Sequence, residues 1–205
     1  MKSIEKLILS SMYVASISNK TPVEIIKEKG GITEKVIDLK IDECIANQLV
    51  NKDRKNLTEF GRTSLKVVLA GGVFDIIHPG HIHTLNAAKE LGDVLIVVIA
   101  TDKTAEKMKN RLPLHNQDQR KMLVDALSVV DLSVVGHEGD IFKTVEFIRP
   151  QIIALGYDQV HQEKFITEGC KKINLEAKVA RLQSPIPEVS SSVIEKKYGK
   201  SIHDI

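Results

Sequence analysis

From residue 66 onward the chain alternates short apolar, β-branched runs with stretches of helical periodicity, and that alternation leaves few folds open. The runs are KVVLA at 66–70, VLIVVIA at 94–100, LSVV at 132–135, QIIAL at 151–155 and KVARL at 178–182. Such continuous runs suit strands buried on both faces, as in a parallel sheet. Helices are predicted between them at 79–91, 116–127, 140–148 and 162–173, with a last one at 190–198. Asn116-x-x-Gln119 reads as the capping box that opens the second of these. Parallel strands joined through helices cross over right-handed and carry helices on both faces. The expected fold is α/β, a Rossmann-like, doubly wound, five-stranded parallel sheet.

The first sixty-odd residues have another texture. Ile4, Leu7, Ile8, Met12 and Ile17 mark one helical face. Thr21-Pro22 is a cap and first-turn pair for a helix over 22–29, and Gly30-Gly31 punctuates it. A third helix is expected over 33–49, with Val36, Ile37, Ile41, Cys44, Ile45 and Leu49 inward. A polar, hairpin-like turn and a short segment follow, in VNKDRKNLTEFGRTSL at 50–65. Three short helices and a basic hairpin resemble a winged helix-turn-helix. The expected domains are therefore 1–64, winged-helix-like and mainly helical, and 66–205, Rossmann-like.

Bulk properties narrow the function classes. A net charge of +2 is too mild to require a nucleic-acid partner. Aromatic residues make up 4% of the chain and tryptophan is absent, which disfavours a base-stacking platform. Lys52, Arg54, Lys55 and Arg62 offer phosphate contacts to DNA, but Glu34, Asp38, Asp42 and Glu43 load the third helix with acid. A role in packing or dimer contacts is favoured over DNA binding. Cys44 and Cys170 lie too far apart for a CxxC site, so a free-thiol, cytoplasmic protein is expected. The apolar stretch at 7–17 is broken by serines and has no cleavage site, and no run is long enough for a membrane span.

The chemistry concentrates between the first strand and the first helix after it, in GGVFDIIHPGH at 71–81. In an open parallel sheet that is the edge where ligands bind. Gly71 and Gly72 are expected to let the backbone turn and approach a ligand. Pro79 suits a first helical turn and Gly80 keeps that turn open. His78 and His81, three apart at a helix start, can face one ligand beside free N–H groups and the positive end of the helix dipole. Two imidazoles there suit the oxygens of a triphosphate and the charge that builds on a departing pyrophosphate. Neither a Walker A loop nor GxGxxG is present.

The pattern from Gly72 to His81, through Val73, Phe74 and Asp75, resembles the GxFDxxHxGH signature of the cytidylyltransferase-like nucleotidyltransferase superfamily. The resemblance runs over nearly all of 66–200. It implies a nucleotidyltransferase (EC 2.7.7 type) that joins a nucleoside monophosphate to a phosphorylated small molecule and releases pyrophosphate. His78 and His81 would then stabilise the transition state. Lys109 falls at the family's phosphate-binding lysine and Arg120 at an arginine that contacts substrate or triphosphate. Gly156, Tyr157 and Asp158 would line base and ribose. Val189, Ser190 and Ser191 match a serine-rich motif that grips the triphosphate, and a serine there also caps the last helix. Asp75 is expected to order the loop, since a phosphate nucleophile needs no base.

ATP or CTP would be the substrate, with Mg²⁺ brought by the triphosphate and no metal site built from side chains. A homodimer is implied. Gly156-Tyr157-Asp158-Gln159 and the spacing from Lys109 through Arg111 and Pro113 to Arg120 are similar to archaeal FAD synthases, which adenylylate FMN. Residues 183–188, QSPIPE, lack the Arg-Thr-Glu-Gly of glycerol-phosphate cytidylyltransferases. A CTP-dependent transferase acting on an alcohol phosphate is the alternative. A nucleotide-sensing, DNA-binding regulator is a third reading.

Overall fold

A computed structural model describes residues 4–156, 159, 161–183 and 194. The chain divides into two compact units, Met1–Lys66 and Val67–Ile205.

The first unit holds α1 (Ile4–Ser16), α2 (Pro22–Gly30), α3 (Glu34–Ala46) and α4 (Glu59–Thr63). Thr21 caps α2 in a full capping box with Glu24, and Pro22 supplies the first turn. Ile8, Leu9, Met12, Ile25, Ile26, Ile37, Ile41 and Leu65 are buried to form its core. The hairpin-like segment is reduced to one antiparallel bridge between Val50 and Leu57. Arg54 at its tip pairs with Asp38 and Asp42 of α3. The Arg62 guanidinium lies 4.5 Å above the Tyr13 ring.

The second unit runs β1 (Val67–Gly72), α5 (Pro79–Glu90), β2 (Val94–Ile99), α6 (Asp102–Lys109), α7 (Gln117–Asp125), β3 (Leu132–Val135), α8 (Ile141–Ile148), β4 (Ile152–Leu155), α9 (Gln162–Lys172) and β5 (Lys178–Arg181). The strands form one parallel sheet in the order β3-β2-β1-β4-β5. This is the five-stranded, Rossmann-like sheet that the alternating runs predict. All six residues of β2 are buried, as a strand covered on both faces must be. Val68, Leu85, Leu95, Val97, Ile99 and Val124 form the centre of its core. The chain winds from β1 to β3 on one side and returns to β4 beside β1, so the topological switch lies between β1 and β4.

The predicted helix at 190–198 lies outside the described residues. Among the described residues, no helix is long and apolar enough to cross a membrane.

Candidate functional site

The loop from β1 into α5 is built around Phe74. Its φ is 54°, in the left-handed region that an aromatic residue rarely adopts, and it is buried. The sequence suggests Gly71 and Gly72 as the turning residues, but both belong to β1 and it is Phe74 that turns the chain. Gly72 is needed for room, because a Cβ there would stand 2.9 Å from the Phe74 ring. Strain of this kind persists only where the surroundings enforce it, and it is concentrated at functional sites.

The turn delivers His78 as the residue before α5, with Pro79 in the first turn. The rings of His78 and His81 stack with centroids 3.8 Å apart, and Phe74 lies 5.0 Å from His81. The Nδ1 atoms of both histidines are buried with no hydrogen-bond partner. Burial pushes the His81 pKa down to about 4, helped by the neighbouring His78 and Lys109 and opposed by a hydrogen bond with the Ile76 backbone. Burial, then the Lys109 charge, lowers His78 as well. Two imidazoles held neutral thus stand beside a lysine and a helix start, a setting that favours an anion, with their unpartnered Nδ1 atoms turned into the protein.

Asp75 is 3% exposed. One carboxylate oxygen accepts from the Arg111 guanidinium and the other from the His115 backbone N–H, each at 3.1 Å. The His115 ring closes back on the Asp75 carbonyl at 3.1 Å. Asp75 thus fastens the segment that follows Lys109, the last residue of α6. Arg111 enters the sequence reading only through its spacing between Lys109 and Arg120, and nothing local in the sequence ties Arg111 and His115 to Asp75.

Arg120 departs from the expectation of a phosphate clamp. It is fully buried, and its guanidinium donates to the carbonyls of His115, Val73 and Ala100 and to the Asp102 carboxylate, at 2.6–2.9 Å. It ties the loop after β1, the end of β2 and the entry to α7 together underneath the site. Its donors face protein oxygens, which a helix position and a charge in the sequence cannot reveal. Gly156 and Gln159 close a turn after β4, Gly156 N–H donating to Gln159 Oε1 and Gln159 N–H to the Gly156 carbonyl. Tyr157, Asp158, Val189, Ser190 and Ser191 lie outside the described residues.

A cleft of about 460 Å³ adjoins this loop, over the carboxyl ends of β1, β2 and β3. Gly71, Gly72, Gly136, Val98, Met108 and His137 are among its lining residues. It spans from the strand that carries the histidine motif to the loop after β3. Among the described residues, no group of three or more His, Cys, Asp or Glu side chains is placed to hold a metal ion.

Residues 69–197 match the family model described as "Cytidylyltransferase-like". The chain belongs to the cytidylyltransferase-like family. As a member of that family it is a nucleotidyltransferase, with a nucleoside triphosphate and a phosphorylated small molecule as substrates. Among its similar proteins is one from Aciduliprofundum boonei named FAD synthase, 48% identical over 134 residues, which are 65% of this chain and 80% of the relative. Another, from Picrophilus torridus and of the same name, is 49% identical over 61% of this chain and 89% of its own length. A crystal structure titled as a lipopolysaccharide core biosynthesis protein from Thermoplasma volcanium shares 42% identity. Its TM-score is 0.56, over 58% of this chain and 98% of that one.

Proposed function

We propose that this nucleotidyltransferase is an FAD synthase that transfers AMP from ATP to FMN and releases pyrophosphate. The observation that carries the reading is the 48–49% identity to proteins named FAD synthase across most of their length. The cleft beside the histidines supports it. Its lining glycines present flat backbone and Met108 is a soft, adaptable side chain, a combination suited to a planar ring system. An alcohol phosphate has no such ring to offer.

The nucleotide takes the switch point between β1 and β4, with base and ribose toward Gly156, Tyr157 and Asp158 and the triphosphate toward Val189, Ser190 and Ser191. FMN takes the cleft over β1 to β3. A phosphate oxygen of FMN attacks the α-phosphorus in line. The bond from that phosphorus to the bridging oxygen breaks, and pyrophosphate leaves with the electron pair. No side chain is needed as a base, so catalysis is positioning and charge stabilisation. His78 and His81 donate to oxygens on the α-phosphate and the leaving group, and Lys109 neutralises charge. Asp75 and Arg120 act through the loops they fasten. Mg²⁺ would enter on the phosphates, where it neutralises charge. Asp75 is already occupied by Arg111 and His115.

The N-terminal unit we read as a packing or association module. Two of its candidate DNA cations, Arg54 and Arg62, are engaged within the unit. Both cysteines are free and buried, which supports a cytoplasmic setting. The homodimer implied by the family resemblance is checked by sedimentation.

The test is pyrophosphate release with ATP or CTP, each paired with FMN or glycerol 3-phosphate, in the wild type and His81→Ala. The expected result is FAD from ATP and FMN, with kcat falling about 10²–10³-fold in the variant. Turnover only with CTP and the alcohol phosphate would replace the substrate assignment. Wild-type rates in His81→Ala would remove the histidines from the mechanism.

A further inference from the structure

His137 sits in the loop after β3, exposed at the rim of the cleft, two strands away from the histidine motif at the end of β1. Its ring is held in place. The Thr144 hydroxyl, buried on α8, accepts the His137 backbone N–H at 2.9 Å and lies 3.0 Å from His137 Nδ1. In the tautomer in which the Thr144 hydroxyl donates to Nδ1, the imidazole proton is on Nε2, which has no hydrogen bond to a described residue. In that tautomer an oriented N–H donor stands at the rim of a cleft lined by apolar Val98, Met108 and Ile141 and, beside them, by charged Lys103, Lys107 and Glu138.

Geometry says which part of an acceptor this donor meets. Adjacent strands are about 4.8 Å apart, so the ends of β1 and β3 are separated by roughly 10 Å. The phosphate chemistry takes place at the β1 end. The β3 end therefore meets the part of the acceptor that does not react. A hydrogen-bond donor beside glycine backbone and the apolar part of that lining suits a planar heterocycle with acceptor atoms on its edge. A site of this kind discriminates strongly against analogues that lack the acceptor, because its polar group is left unpaired.

We propose that His137 is a specificity-determining residue for the acceptor, its Nε2–H donating to a carbonyl oxygen or ring nitrogen on the edge of the isoalloxazine. Thr144 is the positioning residue that fixes the tautomer and the ring. The proposal rests on the FAD synthase reading above.

The experiment is steady-state FAD synthesis by the full chain, with FMN and ATP varied in turn, in the wild type, His137→Phe and His137→Gln. FMN binding is also followed by quenching of flavin fluorescence without nucleotide. His137→Phe keeps a ring and loses the donor, and its KM for FMN should rise about tenfold, the worth of one ordinary hydrogen bond. The KM for ATP should not move, and the fluorescence Kd should follow the KM for FMN. His137→Gln places an amide N–H near the Nε2 position and should recover most of the loss, which a merely structural role would not produce. An unchanged KM for FMN in His137→Phe overturns the proposal. So does an equal rise in the KM for ATP, or a failure of His137→Gln to recover. If the wild type makes no FAD from ATP and FMN, the reading beneath the proposal fails, and that outcome is distinct from the others.

Discussion

Buried Arg120 and half-buried His81 are two ionisable residues whose surroundings constrain the nucleotidyltransferase site, and they do so in opposite ways. Arg120 is charged and matched by three carbonyls and a carboxylate. Removing it leaves several buried acceptors without donors, so Arg120→Met should lose about 3–5 kcal/mol in urea unfolding. Arg120→Lys should recover only part, because an ammonium has fewer donors and no planar fork. A lysine variant of wild-type stability and weakened ATP binding would instead return Arg120 to the phosphate. His81 is half-buried and held neutral, with its folded pKa near 4 against an ordinary value of 6.5. The unfolded chain then binds the extra proton between those values. This contribution to stability is complete above about pH 6.5 and is lost as pH falls toward 4. From pH 7 to pH 5 the wild type should lose about 2 kcal/mol more than His81→Phe. Parallel pH profiles for the two proteins would show that the fold does not hold His81 neutral. The histidine pair could be read in the sequence because its motif is local. The bonds of Arg120 join residues 18 to 47 positions away as well as His115, and no local pattern records them.

At the scale of elements, the strands were the most legible. β2 and β3 occupy the predicted runs almost residue for residue, and β2, buried on both faces, is written as an unbroken apolar run. The caps were legible too, Thr21 with Glu24 and Asn116 with Gln119 each forming the reciprocal box. The helix α6 was not. Its sequence DKTAEKMK buries only Ala105, so it has no apolar stripe to announce it, and Thr101 capping its start was the sole cue. The hairpin of the first unit was also overdrawn, since a single bridge replaces a paired wing. That bridge leads into a tight corner that needs a glycine. A Cβ on Gly61 would lie 1.9 Å from the Leu49 carbonyl oxygen, which also accepts the Thr58 N–H. Backbone on both sides must move, so Gly61→Ala should cost about 1–3 kcal/mol. A neutral result in thermal unfolding would mean that the corner relaxes freely.

The division into two units makes the whole molecule testable in one measurement. Each unit has its own buried core, and the family match begins at residue 69, just inside the second. Units with separate cores unfold as separate cooperative transitions unless their interface is large and apolar. A ligand stabilises only the unit that binds it, by about 2.7 kcal/mol at one hundred times its Kd. Calorimetry of the full chain should therefore show two transitions. ATP with Mg²⁺ should raise only one of them, and Gly61→Ala should lower only the other. The pairing of the two perturbations matters more than the number of peaks, because overlapping transitions would still respond separately. If ATP and Gly61→Ala shift one common transition, the units fold as a single body. The N-terminal residues would then belong to the stability of the active site, and variants in α1 to α4 would have to be scored for FAD synthesis as well as for folding.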